Sequence, residues 1–308
     1  MRKGSLLIAA ALAIIPNIAE ASDEISEVNL SAGKRIDQLN WNIAGISPYG
    51  NFVNVLSELA WRDLESSFLK ASTRIFLDSF YIRGSAGYGF ITSGTNQDSD
   101  YRGNDRTLEY SRSNNASNDG SVWDIEGGLG YVFGAGSPGN RLSLMPMAGL
   151  SYHKQNLKMT DGYQTITYPG GPALGPFSGL NSTYSSRWAG PWAGADLSYV
   201  FRDLTLLGSF EYHLAYFRAE ADWNLRTNFA HPVSFEQWAR GTGVVISLGA
   251  EYNLGRNWSL GGTYDMQDFH ATGGTDRTFF SDGSEADTPL NEVNWESQAV
   301  MVGINYRF

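Results

Sequence analysis

Residues 299–308 read AVMVGINYRF. Val300, Val302, Ile304, Tyr306 and Phe308 share one parity, and Met301, Gly303, Asn305 and Arg307 share the other. A period of two is the signature of a β-strand. One face of this strand is apolar and aromatic; the other is small or polar. In water the apolar face would belong inside. In a membrane barrel it points at lipid, and the polar face lines the lumen. The strand alone leaves both orientations open.

The opposite end of the chain favours the membrane. It begins MRKGSLLIAAALAIIPNIAEASDE. Arg2 and Lys3 form a basic n-region, Leu6 to Ile15 an apolar stretch, and Ala19-Glu20-Ala21 a small-residue cleavage signal. The apolar run is short of the roughly 20 residues that span a bilayer. Residues 1–21 are therefore expected to be a signal peptide, and 22–308 a single exported domain. No later apolar run reaches the length of a transmembrane helix.

Composition agrees with a β-rich exported protein. Of 308 residues, 35 are Gly, 16 Tyr, 16 Phe and 9 Trp, and only 18% are charged. With no cysteine, disulfides cannot hold the fold. A closed hydrogen-bonded barrel would. The net charge of −10 argues against nucleic acid as a partner.

Other segments repeat the period of two. In 204–217 (LTLLGSFEYHLAYF), Phe210, Tyr212, Leu214 and Tyr216 alternate with Ser209, Glu211, His213 and Ala215. The pattern predicts ten strands: 28–46, 51–77, 79–95, 121–134, 140–157, 183–201, 203–220, 238–254, 257–273 and 292–308. Short turns alternate with long polar segments at 96–120, 158–182, 221–237 and 274–291. The expectation is all-β: a closed antiparallel transmembrane β-barrel of ten strands. Short periplasmic turns and long outer loops are the pattern of an outer-membrane barrel. Many of these strands exceed the about 9–11 residues that cross a bilayer, so some should project beyond it. Ten strands make a narrow barrel that side chains largely fill.

Candidate chemistry is sparse. Four scattered histidines and no cysteine suggest no metal site or cofactor. The acidic segments lack the spacing of a calcium loop, and no glycine-rich run has the phosphate-cradling pattern. Two carboxylates, Asp98 and Asp100, stand one residue apart where the third strand is expected to end.

At this point the residues resemble the omptin family of outer-membrane proteases. LSELAWRDLESSFLKASTRIF (56–76) looks like that family's long second strand, and GSAGYGFITSG (84–94) like its third, followed by DSDY (98–101). YSSRWAGPW (184–192) and the terminal strand are also similar. The resemblance implies a barrel with an active-site groove at its outer mouth. It implies two carboxylates at Asp98 and Asp100, and an Asp-x-His dyad facing them. Asp222 matches the dyad aspartate. The histidine position reads Asn224, and a side-chain amide takes up no proton near neutral pH.

Three functions follow. An absent base favours a non-proteolytic structural or surface-binding barrel, with a peptide or surface ligand at the mouth. An endopeptidase using Asp98, Asp100 and Asp222 with a displaced base is the second, and His231 and His270 are the histidines within reach of the mouth. A small pore is the third. His213, nine residues from Asp222 on one strand and so roughly 30 Å away, reads as a lumen residue. The resemblance further implies outer-membrane lipid as a partner, with lipopolysaccharide phosphates on the outer wall. Tyr152 and Arg187 match the family's contacts, whereas Lys154 and Asn156 stand where an acid and a base are expected. An interfacial Tyr and Arg would look the same.

Overall fold

A computed structural model describes residues 26–137 and 139–308. The expected signal peptide, 1–21, lies outside the described residues. Thirteen strands follow one another: β1 (Glu27–Ile46), β2 (Phe52–Leu77), β3 (Phe80–Tyr101), β4 (Glu109–Ala116), β5 (Gly120–Tyr131), β6 (Phe133–Ser137), β7 (Asn140–Ile166), β8 (Gly175–Pro176), β9 (Ser182–Phe201), β10 (Leu204–Asp222), β11 (Phe235–Asn253), β12 (Trp258–Phe279) and β13 (Glu285–Arg307). All pairings are antiparallel. β1, β2, β3, β5, β7, β9, β10, β11, β12 and β13 pair in that order, and β13 returns to β1, Glu27 opposite Arg307. The ten form an unbroken ring. β4 continues the wall above β5, between β3 and β7.

The alternation in 299–308 now has a direction. Val300 and Val302 are 60% and 59% exposed, while Met301 and Asn305 are 2% and 1% exposed. The apolar parity points outward and the small or polar parity inward. Leu150, Phe210, Leu214 and Leu248 add to the same apolar outer wall. About 25 cal/mol per Å² of apolar surface would be lost to water in this arrangement; a lipid surround removes that cost.

The lumen has three levels. At the end where strands are joined by short turns, a cavity of about 530 Å³ is lined by Glu27, Arg74, Arg83, Asp196, Glu251 and Arg307, among others. Arg83 donates to Asp196 at 2.5 Å and also pairs with Glu211. In the middle, Arg35 donates to Asp37 at 2.9 Å and also binds Asp124. Asp37 also accepts from the Trp295 indole at 2.9 Å. Towards the long-loop end, Leu39, Trp41, Trp61, Tyr184, Trp188, Phe217 and Phe269 fill the interior.

The strands run further than expected at the long-loop end. β3 continues through Asp100 to Tyr101, β7 reaches Ile166, and β12 and β13 extend to Phe279 and from Glu285. Parts of the segments expected as loops are therefore paired strand. The cause is the surroundings: beyond lipid, an outward face has no need of apolar residues, so the alternation that marks a strand disappears there.

Candidate functional site

Asp98 and Asp100 lie within β3, not in a loop after it. Asp98 pairs with Leu59 of β2 and Ser113 of β4, and Asp100 with Ser57 and Ser111. Facing partners on adjacent strands share one side of a sheet, and Leu59 is buried in the interior. The two carboxylates therefore line the inner wall of the mouth. Burial, and then the neighbouring Asp100, push Asp98 up to about 8. Burial also raises Asp100, against a hydrogen bond from Ser57. The Arg226 guanidinium works the other way on both, favouring their ionised forms.

Arg226 comes from the opposite wall. β10 ends at Asp222, and residues 223–234 loop back to β11. His231 sits in this loop, its Nδ1 2.6 Å from Asp222 Oδ1. The imidazole side chain is 38% exposed and the carboxylate 29%, so solvent reaches the pair. With Nδ1 held by a carboxylate, Nε2 is the nitrogen left to accept a proton.

Asn224 has a different task. Its Oδ1 accepts from the Asn181 backbone N at 2.9 Å and the Ser182 hydroxyl at 3.0 Å, and its Nδ2 donates to Gly179 O at 2.7 Å. The loop is fastened elsewhere too. Trp223 N donates to Ser234 Oγ at 2.9 Å, Ala230 N to Phe279 O at 2.9 Å, and Ser281 N to Asn228 O at 3.0 Å. Phe229 meets Phe280 edge to face at 5.9 Å, and Arg226 lies over the Phe229 ring at 4.6 Å.

The other histidines are placed away from this pair. His213 is buried in the lumen, between Ser151 Oγ at 2.9 Å and Glu211 Oε2 at 3.0 Å, as its parity predicts. His153 is buried against Asp124 at 2.9 Å. His270 bonds Asn294. Of the lipid candidates, Tyr152 and Lys154 are on β7 and Arg187 on β9, with Lys154 opposite Arg187 and Arg187 opposite Arg218 of β10. Arg218 is exposed, so the outward row is basic.

The sequence expects Asp98 and Asp100 in a loop after the third strand, whereas they lie inside β3; Asp222 ends β10. The sequence leaves His231 and His270 as alternative displaced bases, and it shows neither Arg226 nor the Asn224 clamp. No spacing rule joins residues 222 and 231; the turn of the loop does.

Residues 29–308 match the model of a family described as Protochlamydia outer membrane protein. The chain belongs to that family. No curated protein matches it. Among solved structures, the outer membrane protease OmpT from Escherichia coli overlays with a TM-score of 0.74 at 14% identity, covering 94% of this chain and 98% of that one. At that identity the likeness speaks for the fold: the ring is a β-barrel. A FadL homologue from Pseudomonas aeruginosa (10% identity, 92% and 91% covered, TM-score 0.28) and the toluene transporter TbuX of Ralstonia pickettii (11%, 95% and 92%, 0.31) overlay too loosely to carry an argument. Family and fold together place this chain in the outer membrane.

Proposed function

We propose that this outer-membrane barrel is an endopeptidase whose base is His231. The observation that carries the reading is the 2.6 Å contact between His231 Nδ1 and Asp222 Oδ1, at the mouth and open to solvent. It supplies the group whose absence at position 224 favoured a non-proteolytic barrel. Asp222 accepts from Nδ1–H and holds the ring. Nε2 takes a proton from water, and the resulting hydroxide attacks a peptide carbonyl. The imidazolium then returns the proton to the leaving amine. Across the mouth, burial and the neighbouring Asp100 keep Asp98 largely protonated near neutral pH. One oxygen of the pair receives the water; the protonated one donates to the carbonyl oxygen.

Lipid phosphates are proposed at the outward row Tyr152, Lys154, Arg187 and Arg218. Guanidinium groups offer two-pronged donors suited to phosphate.

The test is cleavage of an internally quenched peptide library by refolded protein with lipopolysaccharide. Activity present in the wild type and absent in His231→Ala and Asp98→Ala supports the reading; no cleavage by the wild type overturns it.

The cavity of about 530 Å³ favours a second reading, a small pore. The aromatic interior above the cavity stands in the path of solutes. Steady single-channel currents in planar bilayers would favour the pore; their absence would exclude it.

A further inference from the structure

We infer that Asn224 is a positioning residue for His231, taking a structural part at the place where the resemblance expects the base itself. The inference rests on the reading of Asp222 and His231 as a working dyad.

A base carried on a loop needs that loop fixed to a fraction of an ångström, because a small misplacement of a catalytic group is costly. In omptin-like spacing the base would sit two residues after Asp222, held by the strand end. Here it sits nine residues after, and the chain between must be tied down in some other way. Asn224 begins that chain. Its amide bridges to 179–182, using both of its oxygen's lone pairs and one of its hydrogens. Its own backbone N donates to Ser182 Oγ at 3.3 Å. The amide therefore faces the 179–182 segment, and a histidine side chain in the same direction would point there too.

The rest of the loop depends on this start. Arg226 N donates to Trp223 O at 2.9 Å and Phe229 N to Arg226 O at 2.8 Å, two successive turns that reverse the chain. Ser234 Oγ then closes the loop onto Trp223 N and Ala230 O. Asn224 holds the first turn, and the tip of the β12–β13 hairpin holds the last. His231 lies on the return path, between them. Removing the first post loosens the turn that leads to the imidazole, while Ser234 and the hairpin tip still hold the return path.

The experiment uses refolded, signal-free protein in micelles, labelled with ¹⁵N in its histidines. Five variants are compared with the wild type: Asn224→Ala, Asn224→Asp, His231→Ala, and Asn224→Ala and Asn224→His each in a His231→Ala background. Asn224→Asp keeps the acceptor oxygens and loses the donor to Gly179, so it guards against gross misfolding in Asn224→Ala. Two readouts do not depend on catalysis. The first is the tautomer of His231, read from its ¹⁵N shifts: one tautomer in the wild type, a mixture in Asn224→Ala. The second is hydrogen exchange across 223–234, about tenfold faster in Asn224→Ala, with Asn224→Asp between the two. If the peptidase reading holds, Asn224→Ala lowers kcat about 10²-fold with little change in KM. In a His231→Ala background the same substitution has no further effect, because the clamp acts only through that ring. Asn224→His does not restore His231→Ala.

An unchanged His231 tautomer and unchanged exchange in Asn224→Ala overturn the inference, whether or not the protein cleaves peptides. So does restoration of activity by Asn224→His. A wild type without peptidase activity that still shows the tautomer and exchange changes defeats the functional reading alone.

Discussion

The barrel contains two Asp–His pairs of nearly the same geometry and opposite circumstance. In mid-lumen, His153 Nδ1 lies 2.9 Å from Asp124 Oδ1; at the mouth, His231 Nδ1 lies 2.6 Å from Asp222 Oδ1. The mid-lumen pair is walled in. Arg35 binds the same Asp124 and also Asp37, and the His153 ring packs on Phe269 at 5.1 Å and Trp295 at 5.4 Å. His153 Nε2 is buried without a hydrogen-bond partner. At the mouth, the pair is partly exposed, and two carboxylates line the facing wall. The chemistry of a pair is thus set by what surrounds it. A neutralised, enclosed pair braces the wall; a solvent-exposed one facing two carboxylates is the pair proposed to move protons.

The largest expected effect separates the two regions by stability. Arg35→Ala leaves Asp37 and Asp124 buried without their cation and costs about 3–5 kcal/mol, seen as lost heat-resistant mobility or as early unfolding in micelles. Asp222→Asn leaves unfolding unchanged, because that site is open to water. Next in size is an effect on rate. Asp222→Asn lowers peptide cleavage about 10²–10⁴-fold, because the general base His231 loses the carboxylate that orients it, with the barrel intact by circular dichroism.

Replacing each histidine by phenylalanine reverses the roles. His153→Phe removes the Asp124 hydrogen bond and costs about 1–3 kcal/mol of stability while cleavage continues. His231→Phe ends cleavage and leaves stability unaltered.

The smallest effect is one of pH, because solvent at the mouth screens the half-buried Asp98 and cuts its weight in stability. Asp98 is raised by burial and by Asp100 to about 8, against about 3.9 for an unfolded chain. Between these values the folded protein holds a proton that the unfolded chain has released. Its contribution is complete below about 4 and is lost as the pH rises through about 8. Asp98→Asn removes that dependence. The variant unfolds a few degrees higher than the wild type at pH 9, with little difference at pH 4, in thermal scans at both values. In the proposed reading, wild-type cleavage falls above pH 8 as Asp98 loses its proton.

Much of this was legible in the residues. Period-two alternation in 204–217 and 299–308 specified strands, and lipid on the outside explains which parity is apolar. Above the membrane the same rule fails. Gln97-Asp98-Ser99-Asp100 is polar at every position, so paired strand looks like loop. The facing walls of Asp98, Asp100 and Asp222 were readable from a resemblance of motifs. Between His231 and His270 the sequence could not choose, since only the course of residues 223–234 brings His231 nine positions back to Asp222. Arg35, Asp37, Asp124 and His153 come from three strands, β1, β5 and β7, and no local pattern joins them.

The central claim is that one Asp–His pair works and its twin only holds. Cleavage of a quenched peptide by wild type, His231→Phe and His153→Phe, refolded side by side with lipopolysaccharide, tests it most directly. The account predicts cleavage by the wild type and His153→Phe and none by His231→Phe. Undiminished cleavage by His231→Phe, or none by the wild type, would contradict it.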